Sequence, residues 1–322
     1  MCGIAGMILI HGDFRHTKTN QDKMIRLFNN MLLNAQAQGT DATGVFSGFK
    51  VNTRWDEGKI LYTKGAMPAS KFVKTIPYYK VAEESLRKDG CLYAIGHTRQ
   101  ATCGSPRDNK NNHPFYCGKI LGVHNGIIGN HAQVAEDYGL DMESECDSEV
   151  IFQLFDQLRT ANHPMSDSFG CLFASLEGWY AGAMVSEDRY NEVILFRDRT
   201  SLHLFHHAKE DMLLFATQER WITDALKDSE LGGTLDRVDF PTDSALTIDT
   251  WKKAEQAIKL HSCGDDGQEE QDDGATFGSL DLPATEEKAC ATSVSCLVSE
   301  EDVRTYGVSS LLGHTTFSRA KA

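Results

Sequence analysis

The sequence predicts an α+β domain in which two stacked antiparallel sheets are covered by helices on both outer faces. Three observations lead there. Between Gly170 and Thr217, short apolar runs follow one another with tight turns between them, the pattern of antiparallel pairing. Met24 to Ala35 and Val150 to Leu158 instead repeat their apolar residues at helical spacing. Helices and sheets with one apolar face must bury it against another element, and stacked layers do so.

In chain order, Gly3 to Ile10 is small and apolar, is bounded by His11-Gly12-Asp13, and reads as a buried strand. Met24, Leu27, Phe28, Met31, Leu32 and Ala35 then share one face of a helix entered near Asn20. Gln38 to Gly44 is a glycine-punctuated loop leading into Val45 to Phe49. A hairpin is expected around Asp56-Glu57-Gly58, and a short helical stretch from Ala82 to Lys88. Cys91 to His97 makes a strand that delivers Thr98 and Arg99 at its end. Leu121 to His124 runs into Asn125-Gly126, a dipeptide that by itself signals a hairpin turn. Asp147 precedes the helical face of Val150, Ile151, Leu154, Phe155 and Leu158, where an aspartate serves as an N-cap.

The later strands are expected at Cys171 to Leu176, Trp179 to Val185, Glu192 to Arg197, Leu202 to His206 and Met212 to Thr217. Helical patterns follow at Trp221 to Leu226 and Trp251 to Leu260.

The 322 residues, 41% of them apolar, suffice for one large or two smaller globular domains. The net charge of -14 excludes a phosphate-backbone ligand, which needs a basic surface. That charge is local. Twelve carboxylates against Lys288 alone give -11 between Cys263 and Asp302, leaving -3 for the rest. The boundaries drawn are a domain over 2–250, a helix and acidic linker over 251–302, and a short tail over 303–322. The linker is too poor in aromatic residues to order itself. Nine scattered cysteines, with neither a signal peptide nor an apolar run near 18 residues, lead to an expected cytoplasmic location and no membrane.

The chemistry centres on Cys2. Removal of Met1 would place a thiol and a free α-amine, of pKa roughly 7.7 to 8.0, on one residue, so that nucleophile and base coincide. Read alone, a Met-Cys start is a small buried hydrophobe on a strand. Arg99 brings a planar fork suited to a carboxylate, against the plain reading of a surface salt bridge.

Taken together, Cys2-Gly3-Ile4-Ala5-Gly6, Gly96-His97-Thr98-Arg99, His124-Asn125-Gly126-Ile127-Ile128 and Asp147-Ser148-Glu149 resemble, in order and spacing, the class II glutamine amidotransferases. Within that family they most resemble the glutaminase domain of glucosamine-6-phosphate synthase, and the likeness runs from Cys2 to about Leu226. It implies the four-layer αββα sandwich of N-terminal-nucleophile hydrolases and a Cys2 nucleophile. It also implies an oxyanion pair from the Asn125 side chain and the Gly126 N–H. Arg99 and Thr102 would hold the α-carboxylate of L-glutamine, and Asp147 its α-ammonium. The implied half-reaction needs no cofactor.

Three positions depart from the family pattern. Gln38 stands for an arginine, Gln100 for a tryptophan and Cys103 for a histidine, so the pocket is either looser for glutamine or retuned for another amide. Cys103 reads as a small filler, and His113, before a proline, as structural. No metal is expected at His203, His206 and His207, which lack a second set of ligands nearby in sequence. Family members fuse this domain to an ammonia-consuming synthase, and this chain is too short for one; the expectation is a glutaminase subunit with a separate synthase partner. A stand-alone amidohydrolase and a non-catalytic glutamine sensor or scaffold are the alternatives.

Overall fold

The structure, a computed structural model, describes residues 2–10, 18–51, 57–87, 90–161, 164–262 and 291–296. Its first strand, β1 (Gly3–Leu9), is followed by α1 (Lys18–Ala35), the hairpin β2 (Ala42–Lys50) and β3 (Glu57–Gly65), and the short helices α2 (Ala69–Phe72) and α3 (Ile76–Val81). Next come β4 (Cys91–Arg99), β5 (Phe115–Cys117), β6 (Ile120–Ile128), and helices α4 (His131–Tyr138), α5 (Glu149–Thr160) and α6 (Met165–Ser175). The second half contributes β7 (Gly178–Ser186), β8 (Arg189–Arg197), β9 (His203–His207), β10 (Met212–Ala216), α7 (Glu219–Ser229), β11 (Asp236–Val238) and β12 (Ser244–Asp249). A single turn α8 (Ala254–Ala257) leads to β13 (Ile258–Ser262), and β14 (Ala291–Cys296) completes the described strands.

One sheet runs β11-β9-β10-β1-β4-β2-β3-β14 and the other β13-β12-β8-β7-β6-β5. Between them lie Ile4, Ile8, Phe46 and Ile95 from the first and Val123, Val185, Leu195 and Leu246 from the second. Helices α1 and α7 cover the outer face of the first sheet; α5 and α6 cover that of the second. The result is the expected αββα order. Leu27, Phe28, Met31 and Leu32 of α1 are fully buried, each contributing roughly 1.5–3 kcal/mol by leaving water.

β1 is central, paired with β4 from Gly3↔Thr98 and with β10 from Ala5↔Ala216. Gly3 permits a close approach: a Cβ there would lie 2.7 Å from Thr98 Oγ1 and 2.9 Å from the Ala35 carbonyl at the end of α1.

Three expectations are corrected. Cys171 to Ser175 lies in helix α6, with Leu176 extended at its end, and Phe169 and Leu172, about one helical turn apart, are buried against α5. Trp251 to Leu260 holds only one helical turn, because Ile258 to Ser262 pairs with β12 instead. The Asn125-Gly126 pair, which by itself signals a turn, continues β6 opposite Ala181 and Tyr180. Within the expected acidic linker, Ala291 to Cys296 forms a strand parallel to β3, so the first sheet is not wholly antiparallel. The rest of that linker from residue 263, and the 303–322 tail, lie outside the described residues. No helix among the described residues is long and apolar enough to cross a membrane.

Candidate active site

The start of β1 places Cys2 half-buried beside the ends of β4 and β6. Its main-chain nitrogen donates to Asn125 Oδ1 at 3.1 Å, and its Sγ lies 3.6 Å from the Gln100 carbonyl. Burial pushes the Cys2 thiol up, so it rests protonated and needs a base to attack. Asn125 is 2% exposed. With Oδ1 committed to Cys2, its Nδ2 amide is the end left to donate to a ligand.

Gly126 follows with φ +148°, and a Cβ there would meet the Trp179 carbonyl at 1.9 Å. Across β7, Tyr180 gives both main-chain groups to Asp198, its N–H to Oδ1 at 3.0 Å and its carbonyl to the Asp198 N–H at 3.0 Å. On the other edge of β6, the Ile128 N–H donates to Asp147 Oδ2 at 2.7 Å. The two-residue period of a strand sets the Gly126 N–H on the same edge as that of Ile128, facing away from β7.

Asp147, 5% exposed, is thus tied to β6 rather than to its own helix, whose first turn carries no side-chain cap bond. Its Oδ1 faces two sulfurs, Cys103 Sγ at 3.6 Å and Cys146 Sγ at 3.7 Å.

Arg99 ends β4 and is 3% exposed. Its Nη1 donates to Asn112 Oδ1 at 2.9 Å, and its Nη2 to the Cys103 carbonyl and, at 3.2 Å, to that of Gly104. The guanidinium therefore holds the 101–112 loop, and a two-pronged grip on a carboxylate requires those loop carbonyls to yield. Thr102 lies exposed on the same loop. Asp41 ties the loop's start to the 38–44 segment by accepting from the Ala101 N–H at 2.8 Å and from Gln100 Nε2 at 3.2 Å. Asp41, Asn112 and Cys146 were not singled out by sequence reasoning, although the Gln38–Gly44 and Asn112-His113 segments carried the signal for the first two.

Three histidines sit behind the site. His113 stacks on His97 with ring centroids 3.9 Å apart, while His97 Nε2 meets the His124 carbonyl at 3.0 Å. His124 Nδ1 meets Ser148 Oγ at 2.8 Å, and both His113 ring nitrogens are buried without a hydrogen-bond partner. Burial holds all three neutral, pushing His97 to about 3, His124 to about 4 and His113 well below its ordinary value. The unfolded chain takes up these protons as pH falls through about 6.5, whereas the folded chain does not until far lower pH. Stability should therefore fall with pH from about 6.5 toward 4. Urea midpoints measured across that window should flatten by about one proton's worth in His113→Phe, roughly 1.4 kcal/mol per pH unit at most. An unchanged slope would show that His113 titrates normally.

By contrast, His203, His206 and His207 turn to separate partners, Arg237, Asp211 and the Gly232 carbonyl.

Two stacked sheets between helical layers, antiparallel but for β14, with a cysteine at the start of a central strand, make the αββα fold that the resemblance implied. In B. subtilis glutamine phosphoribosylpyrophosphate amidotransferase, solved with ADP and GMP, the fold recurs with a TM-score of 0.55 over 81% of this chain and 49% of that one, at 20% identity. Residues 97–224 match the family described as a glutamine amidotransferase domain. The glutamine–fructose-6-phosphate aminotransferase (isomerizing) of Staphylococcus epidermidis is 30% identical over 206 residues, 63% of this chain and 30% of that protein. Its namesake in Acinetobacter baylyi is 35% identical over 111 residues, 34% of this chain and 18% of that protein. The chain thus spans less than a third of the length of these curated relatives. Glutamine hydrolysis with transfer of the ammonia is the general activity of the class.

Proposed function

We propose that this domain hydrolyses L-glutamine to glutamate and ammonia through a γ-glutamyl thioester on Cys2, and that a synthase on a separate chain consumes the ammonia. The observation that carries the reading is the hydrogen bond from the Cys2 nitrogen to Asn125 Oδ1, which couples the proposed base to the proposed oxyanion donor. With Met1 removed, that nitrogen is an amine able to take the thiol proton, directly or through water. The thiolate adds to the side-chain carbonyl of glutamine. Asn125 Nδ2 and the Gly126 N–H then face the developing oxyanion, each such donor being worth roughly 10²–10³ in rate. The amine returns its proton to the departing ammonia, and water cleaves the thioester.

Recognition of the free amino acid falls to Asp147 for the ammonium, with Arg99 and Thr102 for the carboxylate once the 103–104 carbonyls shift. Asp147→Asn keeps an acceptor for the Ile128 N–H but removes the charge. The KM for glutamine should rise by roughly 100-fold with kcat changed far less, since stripping a buried ion-paired group of its partner costs about 2–5 kcal/mol. Steady-state kinetics check this, and an unchanged KM would remove Asp147 from the ammonium site. Affinity capture from the native host should recover the synthase.

The reading as a whole is tested by intact mass and N-terminal sequencing before and after exposure to 6-diazo-5-oxo-L-norleucine, a reactive glutamine analogue. A chain beginning at Cys2 that gains one adduct on that residue is expected. A chain processed to Cys2 yet unlabelled would favour the retuned-amide alternative, and one retaining Met1 would favour a non-catalytic role.

A further inference from the structure

Cys103, Cys146 and Asp147 come from a loop and a helix entry far apart in sequence, yet their Sγ, Sγ and Oδ1 atoms lie within 4.8 Å of one another. We infer that these three atoms form a zinc site, one that shares Asp147 with the amino-acid pocket. A tetrahedral zinc about 2.3 Å from sulfur and about 2.1 Å from a carboxylate oxygen separates sulfur and oxygen ligands by about 3.6 Å. The two sulfur-to-Oδ1 distances are 3.6 and 3.7 Å. Both sulfur-to-oxygen edges of one tetrahedron are therefore already set, with the two sulfurs within 4.8 Å of each other, before any metal draws the ligands in.

The surroundings fit a built site. The Ile128 N–H takes Asp147 Oδ2 at 2.7 Å and so aims Oδ1 at the sulfurs. Cys146 Sγ meets Ser148 Oγ at 3.5 Å, and its N–H meets Ser144 Oγ at 3.2 Å. Such outer contacts fix ligand orientation. Cys146 and Asp147 are buried while Cys103 is half-exposed, which leaves an entry path and a fourth position for water. Two thiolates select zinc over magnesium or calcium, which prefer all-oxygen shells. Binding releases both thiol protons to solvent, and the complex of Zn²⁺ with two thiolates and a carboxylate carries one net negative charge.

The metal site stands on these contacts alone; its consequence rests on the proposed function. Asp147 cannot hold zinc and the ammonium of glutamine through Oδ1 at once, so the two ligands should compete, and zinc should act as an inhibitor.

The test uses the full chain as Cys2→Ala, which removes the other thiol at the pocket, reduced and freed of metal. Titration with Co²⁺ should give one equivalent with a thiolate-to-cobalt absorption band in the near ultraviolet, bleached by added Zn²⁺. Cys103→Ser should halve the band. It should also weaken binding at least about 100-fold, since losing even an outer-shell contact costs roughly 10–100-fold. Circular dichroism confirms the fold, and Cys103, being half-exposed, tolerates serine more readily than Cys146. Absence of the band, or a band that survives unchanged in both Cys103→Ser and Cys146→Ser, overturns the proposal. L-glutamine should weaken metal binding. A cysteine-dependent band insensitive to glutamine upholds the metal site and removes Asp147 from the ammonium site. Labelling of Cys2 by the diazo analogue in wild-type protein that gives no band does the reverse.

Discussion

Cys2→Ala is expected to fold as the parent and to release no glutamate from glutamine above background. The methyl group of alanine fits wherever the thiol does, and the strand it begins is anchored downstream by the Ile4 N–H to Thr217 Oγ1 at 3.0 Å and by the Thr217 N–H to the Ile4 carbonyl at 3.0 Å. The fold therefore does not depend on the sulfur. Loss of a nucleophile that acts as one unit with its base removes the covalent route entirely, and on the order of 10⁶ in kcat is lost in such cases. A coupled glutamate assay, with circular dichroism and thermal melting as controls, decides it. Residual turnover within tenfold of the parent would sink the thioester mechanism.

Gly126→Ala should also lower the rate, though less than loss of the nucleophile, and a matched control exists on the neighbouring strand. Gly126 and Gly178 both have φ +148°, and across the β6–β7 pair a Cβ on each would strike a carbonyl, that of Trp179 at 1.9 Å and that of Ile127 at 2.0 Å. Either alanine must force the strands apart and hold an L residue in a glycine conformation, at about 3 kcal/mol or more. Melting temperatures should fall by several degrees in both. Only Gly126 carries the N–H that faces the proposed oxyanion and adjoins Asn125. Its substitution should lower kcat by about 10³ or more, against a few-fold for Gly178→Ala. Equal effects of the two on kcat would mean that Gly126 matters for strand pairing alone.

What the sequence made legible was local. The continuous apolar run of β1 and the one-faced patterns of α1, α5 and α7 are set by side chains a few residues apart, and they appear where expected. Cys171 to Leu176 misled because its apolar cluster is short, and its helical neighbours Ser168 and Phe169 lie before the segment read as a strand. Ile258 to Ser262 became a strand through pairing with β12, a contact no local pattern encodes. The site divides the same way. Cys2, Arg99, Asn125, Gly126 and Asp147 each sit in a short motif. Cys103 read as a filler, because its meeting with Cys146 depends on how the 101–112 loop folds over α5's entry. Arg99 was expected to face a substrate, and the loop carbonyls it holds were equally invisible in sequence.

The central place of β1 has a temporal consequence. β1 begins at Gly3, but one of its strand neighbours, β10, ends only at Ala216, roughly 200 residues later in the chain. At synthesis rates of about 5–20 residues per second, on the order of ten to forty seconds pass before both neighbours exist. During that interval the start of the chain is held by β4 at most. Until residues 212–216 have been made, β1 therefore lacks one of its two strand partners, and the sheet closes around it only then.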